Sequence, residues 1–189
     1  MAKKAITITL YMSEIIYDIQ NKTYLTGRSR QNGNNHEEVA NMQANDDDEN
    51  LNQILRSIGN AFGLMKTKLS EYIEENTTTG TNEMLSEEKD LTVGLNMPSN
   101  YNQSTVDSIS AALHQHIVNS AIADWFTITN KNDAEDYFKL AGNNIEQVRE
   151  AINKRKRPSR TEITRPTPPT PPTPPPSVEG EGSGTEGGE

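Results

Sequence analysis

The sequence predicts a mainly α-helical fold: a compact bundle of three to four helices with a small two-stranded β element, followed by a C-terminal tail with no core of its own. Two sets of observations carry the folded part. Leu51, Leu55, Ile58, Phe62, Met65, Leu69 and Tyr72 alternate at spacings of four and three. Ala134, Phe138, Ala141, Ile145, Val148 and Ile152 do the same, and this is the a/d stripe of a packed helix. Two short runs alternate at period two instead. A third observation sets the boundary: nine of the ten prolines lie from Pro158 onward.

Taken in order, Ala5–Tyr11 sets Ile6, Ile8 and Leu10 against Thr7 and Thr9, the pattern of a half-buried strand. Ser13 is placed to cap a following helix, with Glu14 in its first turn. Ile15, Ile16, Ile19 and Tyr24 share its face and Gly27 closes it. Val39 and Met42 suggest a short helix out of phase with the next. The Leu51–Tyr72 stripe then predicts three heptads of helix. Gly59 and Gly63, each costing about 1 kcal/mol relative to Ala, suggest close helix contact or a bend there.

Leu91–Pro98 alternates Leu91, Val93, Leu95 and Met97, a second strand that Pro98 stops. Two lone strands are marginal, so they are expected to pair with each other and rest on helices. From Gln103 a helix carries Val106, Ile109, Leu113, Ile117, Ala121 and Trp125. The stretch TITNKND breaks it, and Asn132 or Asp133 caps the last helix, which cannot pass Pro158. The expected organisation is a helical domain over residues 1–157, a basic and then Pro-rich linker over 158–176, and an acidic Gly-rich tail over 177–189. As polyproline II, residues 166–176 would span roughly 34 Å. A PxxP pattern occurs at Pro166–Pro169, but a solubilising, reach-extending tail is the preferred reading.

Composition narrows function. With 189 residues, 32% of them hydrophobic, the chain supports one modest core. It has no cysteine, which excludes disulfides, thiolate catalysis and cysteine-based metal sites and fits a reducing compartment. The apolar runs at the N-terminus are too short for a signal peptide or a membrane span, so a cytoplasmic protein with no membrane partner is expected. Charge is uneven. Residues 1–153 carry 12 basic and 22 acidic side chains, residues 154–165 six basic and one acidic, and residues 166–189 four acidic and none basic. Only the segment from Lys154 to Arg165 could attract nucleic acid.

The candidate chemical motifs weaken on inspection. Asp46, Asp48 and Asn50 match the first positions of an EF-hand loop, but Leu51 stands where glycine is needed and Ser57 where a bidentate acid is needed. A solvated acidic cluster at a helix start fits better. His114 and His116, two apart, lie roughly 200° apart around a helix and cannot share a metal. His116 falls near the apolar face, as a packed histidine. His36 suits an exposed capping role. There is no G-x-S-x-G, Walker A or G-x-G-x-x-G pattern. No enzyme activity, cofactor or metal is therefore expected. Lys154, Arg155, Lys156 and Arg157 complement a helix dipole, but Arg160 and Arg165 lie beyond that helix. All six could contact an acidic protein or, in a salt-dependent and sequence-blind way, DNA.

Two stretches, YDIQNKTYLTGRSR and ADWFTITNKNDAEDYFKLAGNNIEQVREAINKRKRPSR, resemble small virion proteins of tailed phages and of prophages of gut bacteria, of the head–tail connector or tail-completion type. The shared pattern is Ala123–Phe126, then Ala134 and Tyr137, then Arg157, Pro158 and Arg160. The resemblance implies a non-enzymatic helical adaptor that self-associates around a ring and contacts other virion proteins, ending up in the virion. It makes Trp125, Phe126 and Tyr137 candidates for a packing or assembly interface. The alternative is a small nucleic-acid-binding or regulatory protein working through residues 154–165.

Overall fold

A computed structural model describes residues 4–45, 47–74 and 80–158. Residues Met1–Arg157 form one compact unit and a second begins at Pro158. Asp46, Arg160, Arg165, the proline run and the acidic tail lie outside the described residues. The elements are β1 (Lys4–Leu10), α1 (Met12–Ser29), α2 (His36–Met42), α3 (Asp48–Lys68), β2 (Leu91–Met97), α4 (Val106–Thr129) and α5 (Lys131–Asn153). The fold is mainly helical, as its periodicities predict.

The two strands pair antiparallel within the chain, from Lys4 opposite Met97 to Leu10 opposite Leu91. Leu91, Val93, Leu95 and Met97 are all buried, so one face of the pair rests on the helices. The free side of β2 is covered by a segment the periodicity assigned to helix. The α3 helix ends at Lys68. Tyr72 then accepts a hydrogen bond from the Asn96 amide at 2.6 Å, and the Glu74 amide donates to Gly94 at 3.0 Å. The Leu51–Tyr72 stripe therefore continues past its helix, because Ile73 pairs with Leu95 as a stub of third strand. An otherwise open edge is satisfied in this way.

Helix ends differ from expectation in three places. Ser13 lies inside α1, which Tyr11 precedes, and the Met12 amide donates to Asp90 Oδ1 at 3.0 Å. A distant carboxylate thus takes the role assigned to Ser13. Gly27 does not end α1. It is the crossing point with α2, where a Cβ would meet the Val39 carbonyl oxygen at 3.1 Å. The expected seven-residue break between the last two helices shrinks to Asn130, which flanks both α4 and α5. Asp133, expected as a cap, sits in the first turn of α5, accepts from Asn130 Nδ2 at 2.6 Å and pairs with Arg30, the residue that follows α1.

The α4 helix is the axis of the bundle, and α1, α2, α3, α5 and β1 all pack on it. The spacing of Ile109, Leu113, Ile117 and Trp125 gave it one apolar face. In the structure its second half is buried nearly all round, with Val118, Ile122, Ala123 and Phe126 inside as well, because its apolar residues reach round most of the helix. Gly59 and Gly63 do not mark a helix contact. A Cβ at Gly59 would touch only Leu85, at 3.6 Å, and one at Gly63 would meet nothing within 4 Å.

Candidate functional site: a cavity between α3, α4 and α5

Polar residues on α4 fall into two adjacent rows. Gln115 and Asn119 are four apart, and His116, Ser120 and Asp124 follow at the same step. Residues at that spacing lie above one another on a helix. The α5 helix packs along α4, meeting α1 across the first row and α3 across the second. Each meeting leaves a groove with polar residues at its floor.

In the α1-side groove the α4 row is satisfied, although Asn144 Nδ2 of α5 is buried there without a partner. Lys22 Nζ donates to Gln115 Oε1 at 2.6 Å and to Asn119 Oδ1 at 3.3 Å. The Tyr137 hydroxyl meets Thr26 Oγ1 at 3.0 Å. Burial pushes the Lys22 amine below its ordinary range, and the Asp18 carboxylate partly offsets this. Leu25 and Leu140 stand exposed beside it.

The α3-side groove deepens into a cavity of about 160 Å³. His116, 1% exposed, lines it. The His116 Nδ1 lies 2.8 Å from the Ala141 carbonyl oxygen. A carbonyl only accepts, so Nδ1 carries the proton, and in the neutral ring Nε2 is an acceptor. That Nε2 atom is buried without a partner. Burial holds the imidazole below its ordinary pKa. The Ala141 bond opposes this, and the Lys68 charge adds to it. Burial pushes the Asp124 carboxyl upward against a hydrogen bond from Ser57. Ala61, Ala141 and Gly142 add apolar wall, Asn60 lines the α3 side, and Leu64 and Phe138, each about half exposed, form the rim. Because Nε2 bonds neither Ser120 nor Asp124, no nucleophile–base pair is formed. The cavity sets one ring acceptor, a hydroxyl, a carboxyl, the Asn60 amide and an ammonium around apolar Ala61 and Ala141.

The residues singled out in the sequence are distributed otherwise. Trp125 and Phe126 are 7% and 0% exposed and belong to the core. Trp125 Nε1 donates to the Met42 carbonyl at 2.9 Å, tying α4 to α2. Tyr137 packs edge-on against Phe126 with ring centroids 5.4 Å apart. Phe138, assigned to the buried stripe of α5, is instead exposed at the cavity rim. His114 faces Asp18 of α1 at 3.0 Å, away from the cavity. His36 is exposed in the first turn of α2, within 2.9 Å of the Gln31 amide.

The basic segment is strapped down before it leaves the body. The Asn102 amide donates to Lys154 and the Lys156 amide to Asn100. Lys154 pairs with Glu150 at 2.7 Å, and Arg155 donates to the Ile152 carbonyl at the end of α5 at 3.0 Å. These two contacts serve the helix C-terminus, whereas Lys156 and Arg157 stand exposed. The His116–Ser120–Asp124 row was missed as a unit. Its only sequence signal was the four-residue spacing, which resembles ordinary helix patterning.

Among the described residues no helix is long and apolar enough to cross a membrane, and no group of three or more His, Asp or Glu side chains could hold a metal ion. No protein-family model matches the chain, and neither a curated protein nor a solved structure shows significant similarity to it.

Proposed function

We propose that this chain is a non-enzymatic structural or assembly protein of a phage-like particle, docking against another virion protein across α5 and the two apolar edges that flank it. The observation that carries this reading is the apolar side chains along that helix and its flanks. Phe138 and Leu140 are 51% and 47% exposed, and Leu25 and Leu64 flank them at 53% and 49%. They stand as two pairs on either side of α5, Phe138 with Leu64 at the α3-side groove and Leu140 with Leu25 at the α1-side groove, and exposed apolar residues grouped in this way mark interaction sites. The charges between them are compensated locally, Lys139 pairing with Glu135 and Asp136, which suits desolvation in an interface core. The remaining body is strongly acidic, so a different, neutral or basic partner fits this face better than a second copy. The resemblance to connector-type proteins supplies the setting.

The test is quantitative mass spectrometry of particles released when the producing host's prophages are induced. The chain is expected at fixed stoichiometry with capsid or tail proteins. A Phe138→Asp/Leu140→Asp variant that still melts cooperatively is expected to be absent from the particles. Particles lacking the natural chain would remove this reading. They would turn attention to Lys156 and Arg157 and to DNA titration at two salt concentrations.

A further inference from the structure

We propose that the cavity between α3, α4 and α5 binds a small, uncharged, single-ring molecule carrying an O–H or N–H donor, which His116 Nε2 accepts. Phe138 and Leu64 belong both to the rim of this cavity and to the proposed docking surface, but the ligand contact itself is made by His116 inside the groove and does not require the assembly reading.

Volume sets the size of the ligand. A cavity of about 150 Å³ accommodates one benzene ring, and this one holds about 160 Å³, room for a ring and a short polar substituent. The donor follows from His116. Its Nδ1 proton is committed to Ala141, so Nε2 presents a lone pair, and that atom is buried with nothing to accept from. An orphaned buried acceptor is costly, and a ligand hydroxyl or amine would restore its bond. The ring follows from the walls, since Ala61 and Ala141 are apolar and Phe138 can meet a ligand edge-on at the rim.

Charge argues for a neutral ligand. Lys68 and Asp124 line the same cavity with opposite signs, so an ion of either sign meets one like charge. Ser120, between His116 and Asp124 on α4, can donate to or accept from a second polar atom of the ligand.

Phenol and anisole are suitable probes, because they share a ring and only phenol has a donor. The full chain, labelled with ¹⁵N, is titrated with each and followed by NMR. Phenol is expected to shift the amides of Ala141 and Gly142 saturably and to move the His116 Nε2 resonance toward that of a hydrogen-bonded acceptor. Anisole is expected to bind about tenfold more weakly, the worth of one hydrogen bond. His116→Phe should abolish the phenol response.

Gly142→Leu provides a second variant that does not disturb the buried ring. Gly142 lines the cavity and a Cβ there would meet no atom within 4 Å, so the leucine can enter the cavity without a backbone clash. Loss of phenol binding in that variant, with its amide spectrum still dispersed, supports the site. Equal binding of the two probes, no saturable shift with phenol, a proton resident on Nε2 of the neutral ring, or undiminished binding by Gly142→Leu would each overturn it.

Discussion

On the α1 side of α5, Lys22 reaches across to Gln115 and Asn119, and Tyr137 meets Thr26. On the α3 side, one residue further round α4, His116 ends in an atom with no partner. Both grooves have apolar side chains beside them and polar residues at the floor, and both are lined by α4 and α5. The difference lies in the third helix. The α1 helix offers a long side chain whose ammonium satisfies two amides at once. On α3, Ala61 is a methyl group, and Asn60, Leu64 and Lys68 are exposed residues at the cavity edge, none of them bonded to His116 Nε2. The satisfied row of α4 fixes how α1 and α4 sit together, and the buried atom left over in that groove, Asn144 Nδ2 of α5, is a donor and not an acceptor. A similar floor with an orphaned acceptor and space above it can receive something from outside.

The largest break in that comparison comes from below both grooves. Trp125→Ala removes a core ring and orphans the Met42 carbonyl, and should cost about 3–5 kcal/mol in a urea melt. A loss below about 1 kcal/mol would mean that the ring does not hold α4 against α2.

Next, Lys22→Met should cost about 1–2 kcal/mol, because it strands the Gln115 and Asn119 oxygens, whereas His116→Phe should cost less, because the Ala141 carbonyl that loses its Nδ1 donor lies inside α5 and the orphaned Nε2 is removed with the ring. If the two variants melt alike, the contrast between satisfied and unsatisfied floors is lost.

Gly63→Ala sharpens the α3 wall. With open space around the new methyl, it should raise stability by about 0.5–1 kcal/mol. A decrease would show that the glycine is needed for a bend.

The smallest effect is on pH dependence. The folded-state pKa of His116 lies below its ordinary 6.5, so the unfolded chain takes up that proton first. This contribution is complete above pH 6.5 and is lost as pH falls through the window below it. Asp124 has the opposite sign. Its folded pKa is raised above 3.8, so the folded chain takes up that proton first and stability rises as pH falls toward 3.8. Melts of the natural chain and His116→Phe between about pH 7.5 and pH 5 should differ in slope, the variant being flatter. Parallel curves would remove His116 as the source.

Much of the fold was legible because periodicity reports burial directly. The strands around Ile8 and Val93 and the stripes through Ile58 and Ile145 each form the element that their spacing predicts. The exceptions share a cause, a distant residue that supplies what the local sequence lacks. Asp90 serves the first amide of α1 in place of Ser13, and β2 draws Tyr72–Glu74 out of helix. The candidate site was less legible. Whether Phe138 is buried depends on how much of α3 faces it, and no spacing within α5 contains that information.

The sequence by itself determined which segments are helices and strands, where the folded unit yields to proline, and that acidic and basic side chains lie in separate blocks. These follow from local sterics, side-chain period and composition. Only the tertiary structure decided that the second half of α4 is buried nearly all round, that Trp125 is a core residue bonded to Met42, and that Lys22 satisfies one polar row while the other keeps a free acceptor. Those outcomes depend on which helix lies opposite which row of α4, and that is set by long-range packing.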